Sequence, residues 1–385
     1  MPENCIIDSV TIVTPAAVLP ESSLRVRDGR IDEIRPGGSF QANGRTIDGR
    51  GLHLFPGFID LHCDAIEKKI EPRPNTFFPL DVAVHELDKQ LAACGVTCSY
   101  HSLSFAEMEI GLRSNNMAAQ IVREINEMSP GLRVRTRVHA RFEITDLGAV
   151  PVLRQLVEQG QVRLFSLMDH TPGQGQFREV MSFKNYYGPV YGKSDSEMDR
   201  MIERKQEAKG NGAREGIETM VDCCRTHDIA LASHDDDCPD KIRWLHGLGI
   251  QLTEFPVNLT AARSAREHGL HVILGAPNVM RGASQGGNLS AREALAAGCG
   301  DILCSDYAPL TLLHAVLTLE RLGLMPLPEA VNLVSRNPAQ AVGIDDETGS
   351  LREGLAADLL LLDLQHGFPR IVKTMVDGRE VFASC

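Results

Sequence analysis

The stretch PGFIDLHCD, residues 56–64, combines a turn, an apolar strand and two side chains of the kind that bind metals. A Pro-Gly turn precedes the apolar run at residues 58–61, which is typical of a buried strand. His62 and Asp64 follow, and side chains two positions apart on an extended chain point to the same side. An imidazole nitrogen and a carboxylate oxygen that converge on one point suit a divalent cation. The segment therefore predicts the first strand of a metal-binding barrel, with a hydrogen-bonded strand end as the alternative.

The central part of the chain alternates short apolar runs with amphipathic helical stretches. The predicted strands are residues 57–61, 96–100, 134–144, 162–168, 229–233, 250–255, 272–275 and 302–304. The clearest predicted helices between them are residues 84–93, 117–128, 150–159, 212–226 and 292–297. Eight such alternations are typical of a (β/α)8 barrel rather than an open sheet. We therefore predict an α/β fold with a TIM-like (β/α)8 barrel over residues 55–345, carrying the hydrolase site.

The two ends of the chain differ from this middle part. Residues 1–54 and 346–385 consist of short apolar runs separated by turns such as Asp28-Gly29 and Asp377-Gly378. This pattern predicts that both termini build one small β-sandwich domain beside the barrel. A long insert at residues 171–210 interrupts the alternation and ends in a charged helix at residues 196–209. Loops that follow barrel strands hold substrate, so we expect this insert to lie near the site.

Composition excludes several classes of protein. The chain has 385 residues and a net charge of −12, whereas proteins that bind nucleic acid usually carry a basic excess. No apolar run approaches the roughly 20 residues that span a bilayer, and the first ten residues lack the features of a signal peptide. Ten cysteines without a CxxC pair favour reduced, mostly buried thiols. These features predict a cytoplasmic globular protein with a small-molecule substrate, and they leave open whether it forms a homo-oligomer.

Four later strands end in further side chains that could bind a metal. Glu143, with His139 as a weaker candidate, ends the third predicted strand, and His170, His234 and Asp306 follow the fourth, fifth and eighth. A single histidine at a strand end is more often structural. Barrel geometry, however, brings all these strand ends to one mouth, where unpaired carboxylates and imidazoles would be costly. A metal site resolves that cost.

Several motifs resemble the amidohydrolase superfamily, and the resemblance covers nearly the whole chain. They are residues 56–64, the later order carboxylate–His–His–Asp, and the tail segments NPA at 337–339 and GSLREGLAADL at 349–359. Other segments are similar to the PhnM family, the α-D-ribose 1-methylphosphonate 5-triphosphate diphosphatases. These are DLHCDAIEK at 60–68, MDHTPGQ at 168–174, and GAPN with the following Arg-Gly pair at 275–282.

The resemblance implies an enzyme with two divalent metal ions, Zn²⁺, Mn²⁺ or Mg²⁺. The implied ligands are His62, Asp64, Glu143, His170, His234 and Asp306. The usual first-strand H-x-H is His62-x-Asp64 here, and Glu143 stands where the superfamily often has a bridging carboxylated lysine. Both differences add oxygen ligands, which favours Mn²⁺ or Mg²⁺ beside Zn²⁺. Asp306 is the implied catalytic residue, which orients the attacking hydroxide and takes its proton.

The implied reaction releases pyrophosphate from the 5-triphosphate and leaves the 5-phosphate, a step of phosphonate catabolism in the C–P lyase pathway. It requires local positive charge, for which the candidates are Arg141, Lys184, Lys193 and Arg281. Each of these is alternatively a solvated surface charge. The alternative function is a metal-dependent amide or cyclic-amide hydrolase, because the fold alone does not distinguish the two chemistries. A non-catalytic scaffold is a third alternative, which the full set of ligand-type residues disfavours.

Overall fold

The computed structural model describes residues 4–41, 44–73, 76–107, 114–173, 175, 180–181, 183–184, 194–210, 212–365 and 367–384, without the side chains of 204 and 208–210. The strands of the terminal regions are β1 (Cys5–Val13), β2 (Val18–Arg27), β3 (Arg30–Arg35), β4 (Arg45–Asp48), β5 (His53–Pro56), β14 (Leu359–Asp363), β15 (Arg370–Val376) and β16 (Arg379–Ala383). The strands of the central region are β6 (Phe58–Cys63), β7 (Val96–Phe105), β8 (Arg135–Glu143), β9 (Leu164–Met168), β10 (Ala230–His234), β11 (Leu252–Glu254), β12 (His271–Gly275) and β13 (Ile302–Cys304).

The helices lie almost entirely in the central region, between its strands. They are α1 (Ala65–Ile70), α2 (Leu80–Ala93), α3 (Asn115–Met128), α4 (Ala149–Glu158), α5 (Asp195–Gly210), α6 (Ala213–Thr226), α7 (Pro239–Gly247), α8 (Leu259–Glu267), α9 (Ala276–Arg281), α10 (Ala291–Ala296), α11 (Thr311–Arg321), α12 (Leu327–Asn332) and α13 (Arg336–Ala341). None of the helices in the described part of the chain has the length and apolar character needed to cross a membrane.

The central strands form one parallel sheet in sequence order from β6 to β13. The first and last strands meet at their carboxyl ends, where Cys63 and Asp306 form a parallel bridge. The Asp306 N–H donates to the His62 carbonyl at 2.9 Å, and the Asp64 N–H donates to the Asp306 carbonyl at 3.0 Å. The predicted (β/α)8 barrel is therefore confirmed, and its closure brings the two ends of the predicted ligand set together.

The terminal strands form a second sheet, in the order β16-β15-β14-β5-β1-β2-β3, with β4 paired to β1. Antiparallel pairing of β14 with β5, for example Leu359 with Pro56, joins the two ends of the chain. The expectation that both termini share one small β-unit is therefore confirmed. The boundaries at residues 54 and 346 stay a prediction.

Packing in the barrel explains which side chains reach the site. A ring that includes Ile59, Tyr100, Leu164 and Ile302 fills the barrel interior. A larger apolar layer, which includes Phe142, packs between the strands and the helices. Side chains on β8 alternate between these surroundings, so that Arg141 and Glu143, on either side of Phe142, extend toward the mouth.

Candidate metal centre

His62, near the end of β6, is oriented by a carboxylate from the sixth barrel strand. Its Nδ1 lies 2.9 Å from Oε1 of Glu254, and both side chains are buried. The ring of Phe255 meets the ring of His62 edge-on, with 5.0 Å between centroids. Burial, reinforced by the positive charge of Arg141, holds the pKa of His62 well below its ordinary value. The imidazole is therefore neutral near pH 7, which is the form that binds a metal.

Seven side chains form a continuous cluster at the carboxyl ends of the barrel strands. Within each of three groups, the ligand atoms lie within 4.8 Å of one another. The groups are His62, His234 and Glu254; His170, His234 and Asp235; and His62, Asp64 and Asp306. Because His62 and His234 each belong to two groups, the three groups are parts of one site. This cluster, which we call the metal centre, contains three imidazoles and four carboxylates.

The carboxylates of the metal centre are crowded in a way that a cation would relieve. Burial, and next the charge of Asp64, raise the pKa of Asp306 to about 8. Glu254 Oε2 is buried and has no hydrogen-bond partner among the described residues. Buried carboxylates of this kind are costly unless they are paired or bind a metal. The mixed nitrogen and oxygen donors fit Zn²⁺, Mn²⁺ or Mg²⁺.

Glu143 lies beside the metal centre. It is not a member of any of the three groups, but it contacts His170, which is. Its Oε2 lies 3.2 Å from His170 Nδ1 and accepts the His170 backbone N–H at 3.3 Å. Its Oε1 accepts a hydrogen bond from Thr145 Oγ1 at 2.7 Å and lies 3.8 Å from Lys205 Nζ. The carboxylate thus orients a histidine of the metal centre, and its predicted bridging role stays a prediction.

Arg141 and His139 lie on the same side of β8 but have different surroundings. Arg141 is buried, and its Nη2 donates to His234 Nε2 at 3.2 Å. His139 has both ring nitrogens occupied, with Nδ1 3.1 Å from the Leu61 carbonyl and Nε2 2.9 Å from Ser166 Oγ. Burial lowers the pKa of His139 to about 3. Arg141 therefore brings a fixed positive charge to the metal centre, and His139 has a structural role.

His234 and Asp235 lie at the turn after β10. An ion pair between Asp236 and Lys241 stabilises this turn. Asp236 is fully buried, and its Oδ1 lies 2.9 Å from Lys241 Nζ. Its Oδ2 accepts a hydrogen bond from Thr253 Oγ1 at 2.6 Å. Lys241 Nζ also donates to the His234 carbonyl at 3.4 Å. Asp235 adopts a left-handed backbone conformation, with φ of +54°, and the buried pair next to it keeps this strained turn in place.

A cavity of about 310 Å³ adjoins the metal centre. Besides members of the metal centre, it is lined by polar side chains from the α9 region and the loop that follows: Asn278, Arg281, Ser284, Gln285 and Asn288. Arg141 and Arg281 both line this cavity. Lys184 is not among its lining residues, and its Nζ lies 2.5 Å from Asp199 Oδ1. Lys193 lies outside the described residues.

Glu254 and Asp235 are not among the ligands that the sequence predicts. A signal for Glu254 was available in the sequence, because it lies near the end of the predicted strand 250–255. A carboxylate at the end of the sixth strand meets the same criterion that selected His62 and Asp306. Asp235 directly follows His234, so its position beside a strand end was visible as well.

Comparison with known proteins places these features in a family. The family model described as Amidohydrolase family matches residues 190–381. The chain is 34% identical over 382 residues to the α-D-ribose 1-methylphosphonate 5-triphosphate diphosphatase of Escherichia coli strain K12, covering 98% of this chain and 100% of that protein. It is also 47% identical over 95 residues to a D-hydantoinase of Rhizobium radiobacter, covering 24% of this chain and 18% of that protein.

Solved structures share the fold at low sequence identity. A prolidase in complex with N-methylphosphonate-L-proline has a TM-score of 0.66 and 16% identity, covering 99% of this chain and 100% of the prolidase. A dihydropyrimidinase from Brevibacillus agri has a TM-score of 0.60 and 13% identity, covering 98% of this chain and 94% of that enzyme. At such identities the likeness extends to the fold alone.

Proposed function

The chain belongs to the amidohydrolase superfamily, and we propose that it is a metal-dependent diphosphatase. In this proposal it hydrolyses α-D-ribose 1-methylphosphonate 5-triphosphate to the 5-phosphate and pyrophosphate, in phosphonate catabolism through the C–P lyase pathway. Similarity to the Escherichia coli diphosphatase along 98% of the chain supports this substrate. The observation that carries the proposal is a single cavity in which members of the metal centre lie with Arg141 and Arg281.

The proposed ligands of two divalent metal ions are the six predicted side chains together with Asp235 and Glu254. The three groups of the metal centre support this assignment for all of them except Glu143, which contacts His170. Metal ions bound there would supply Lewis acidity and lower the pKa of a coordinated water. Glu254 orients His62 through a hydrogen bond at Nδ1, whereas Glu143 accepts the backbone N–H of His170 and lies 3.2 Å from its Nδ1. Carboxylates that fix the rings of metal-binding histidines in this manner are common around metal sites.

Asp306 is the proposed catalytic residue. Its side chain lines the cavity and groups with His62 and Asp64, at the end of the last barrel strand. The attacking water loses a proton as its oxygen bonds to phosphorus, and a carboxylate at this position is placed to accept it. Its backbone is hydrogen-bonded to the first barrel strand, which holds the carboxylate in place.

Positive charge distinguishes a phosphate substrate from an acyl substrate in this proposal. Hydrolysis of a triphosphate requires stabilisation of the non-bridging oxygens, and arginine suits that task because it makes bidentate contacts. Arg141 lies within the metal centre and Arg281 lines the cavity. Each charge-assisted hydrogen bond contributes about 1.5–3 kcal/mol. Lys184 and Lys193 were also predicted to bind the phosphates, and this stays part of the proposal. The residues that line the cavity do not support it, because Lys184 is not among them and Lys193 lies outside the described residues.

The alternative function is metal-dependent hydrolysis of an amide or cyclic amide. The local similarity to a D-hydantoinase favours it, and a site of this kind can direct water at acyl carbon as well as at phosphorus. The two arginines of the cavity favour the phosphate substrate, because a neutral cyclic amide has no charge that could pair with them.

The test is product release with Mn²⁺, Mg²⁺ and Zn²⁺ supplied in turn. We expect pyrophosphate from the ribosyl triphosphate, almost none with Asp306→Asn, and a kcat/KM about ten- to hundredfold lower with Arg281→Ala at unchanged metal content. N-acyl amino acids and cyclic amides serve as competing substrates. If the parent protein releases no pyrophosphate with any metal but turns over a cyclic amide, the alternative function replaces the proposal.

A further inference from the structure

The loop that follows α9, residues 282–288, contributes a large part of the cavity lining; we call it the glycine loop. Its two ends are fixed by side chains next to it. Asn278 Oδ1 accepts the Ala291 N–H at 3.0 Å, and Asn278 Nδ2 donates to the Leu289 carbonyl at 3.0 Å. Ser290 Oγ donates to the Gly282 carbonyl at 3.1 Å. The loop is therefore anchored at its base, and its middle part lines the cavity through Ser284, Gln285 and Gly286.

The middle of the glycine loop carries polar side chains whose donors have no acceptor among the described residues. Residues 285 and 286 form a turn, and the side chains of Ser284, Gln285 and Asn288 donate no hydrogen bond to the described residues. Gly282 and Gly287 adopt φ of +76° and +73°, a conformation that side-chain-bearing residues rarely adopt. Successive N–H groups in a turn with left-handed positions form concave binding sites for anions.

The distribution of charge around the cavity supports the same conclusion. The carboxylates that line it are Asp64, Asp235 and Asp306, and all three belong to the metal centre. The glycine loop has no acidic residue, and Arg281 immediately precedes it. Arg281 is exposed and pairs with no acidic side chain in the described part of the chain. Among the described residues, the cavity therefore has an acidic part, suited to cations, and a separate part that has one guanidinium and no carboxylate.

We propose that the glycine loop and Arg281 bind the terminal phosphates of the substrate, so that the departing pyrophosphate is held there. This inference rests on the proposed function. In the reaction, the water oxygen bonds to the α-phosphorus and the bond from that phosphorus to the bridging oxygen breaks. The electron pair leaves with pyrophosphate, and the proton of the water passes to Asp306. Donors outside the metal centre would then stabilise the charge on the leaving group.

Binding of inorganic pyrophosphate tests this inference without turnover. Calorimetric titration of the metal-loaded protein, with Mg²⁺ in excess over pyrophosphate, compares the parent with Gln285→Glu. The substitution keeps the size of the side chain and places a negative charge among the donors. Gln155→Glu is the matched control, because Gln155 is exposed on α4, away from the cavity lining. We expect Kd to rise at least tenfold for Gln285→Glu and to stay unchanged for the control, with equal bound metal in all three proteins.

An equal Kd for all three proteins overturns the role of the glycine loop. A different result would reject the proposed function but not the binding role of the loop. In that result the ribosyl triphosphate is not hydrolysed, but pyrophosphate still binds and Gln285→Glu still weakens its binding. If the triphosphate is hydrolysed but Gln285→Glu does not change the Kd of pyrophosphate, only the inference about the glycine loop is rejected. Metal analysis after each titration shows whether pyrophosphate has removed metal from the protein, which would otherwise imitate weak binding.

Discussion

Nδ1 of His62 lies 2.9 Å from Oε1 of Glu254, although the two residues are 192 positions apart in the sequence. An ionised carboxylate only accepts hydrogen bonds, so the proton of the imidazole belongs on Nδ1 and the lone pair on Nε2. The histidine of the first strand is thus held in one tautomer by the sixth strand. A ring that is fixed in this way binds a metal more tightly than one that rotates freely.

Removal of the charge on Glu254 is therefore expected to weaken metal binding. Glu254→Gln keeps the size of the side chain, but its amide accepts the His62 Nδ1 proton less strongly and removes one negative charge from the metal centre. We expect metal affinity to fall about 10- to 100-fold, the usual effect of losing such a partner. Titration with a chelator, followed by metal analysis, measures this. Glu158→Gln on α4, where the carboxylate is half-exposed, is the control. Equal affinity in both variants would exclude Glu254 from the metal centre.

The loss of bound metal should differ between substitutions of His234 and of Glu143. His234 belongs to two of the three groups, whereas Glu143 belongs to none of those found among the described residues and contacts His170. We expect less bound metal than in the parent for both His234→Ala and Glu143→Ala, with the larger loss for His234→Ala. Metal analysis of the purified proteins provides the numbers. A full metal load in Glu143→Ala would remove the bridging role from that residue.

Asp358 connects the terminal sheet to the amino end of the barrel, far from the catalytic mouth. It is buried, forms an ion pair with Arg135 at the start of β8, and accepts the Asp377 N–H at 3.0 Å and the Thr348 hydroxyl at 2.5 Å. Asp358→Asn leaves a partly buried arginine short of a partner, so we expect a loss of about 2–4 kcal/mol in the free energy of unfolding. Urea denaturation measures it. The exposed Asp48→Asn should leave the midpoint unchanged, and equal midpoints for both variants would contradict the connecting role.

Thiol reactivity should follow burial and pH. Burial raises the pKa of both Cys94 and Cys98 to about 11, whereas Cys238 is exposed. Because the thiolate is the reactive form, a raised pKa means that these two thiols stay protonated at pH 8 and ionise only as pH approaches 11. Iodoacetamide at pH 8 should label Cys238 before Cys94 and Cys98, as peptide mass spectrometry can show. Labelling of Cys98 in the folded protein as fast as Cys238 would contradict this burial.

The strands of the barrel were predictable because their signals are local. The run at residues 58–61 and the alternation on β8 depend on near neighbours, and β6 and β8 formed close to the predicted bounds. Glu254 was harder to recognise, because its partner is His62 on the first barrel strand. The two side chains meet only when the barrel closes and its strands are in the correct register. The glycine loop was recognisable as a glycine-rich segment, but its unpaired donors depend on the anchoring by Asn278, which sequence spacing does not show.

The most direct test of the diphosphatase proposal is phosphorus NMR of the parent protein acting on the ribosyl 5-triphosphate in ¹⁸O-enriched water. The proposal predicts that the triphosphate signals decay while pyrophosphate and the 5-phosphate grow in equal amounts. The ¹⁸O label should appear in the 5-phosphate, because in the proposed reaction the water attacks the α-phosphorus. Triphosphate signals that persist in the metal-loaded protein, or orthophosphate released in place of pyrophosphate, would contradict the proposed reaction.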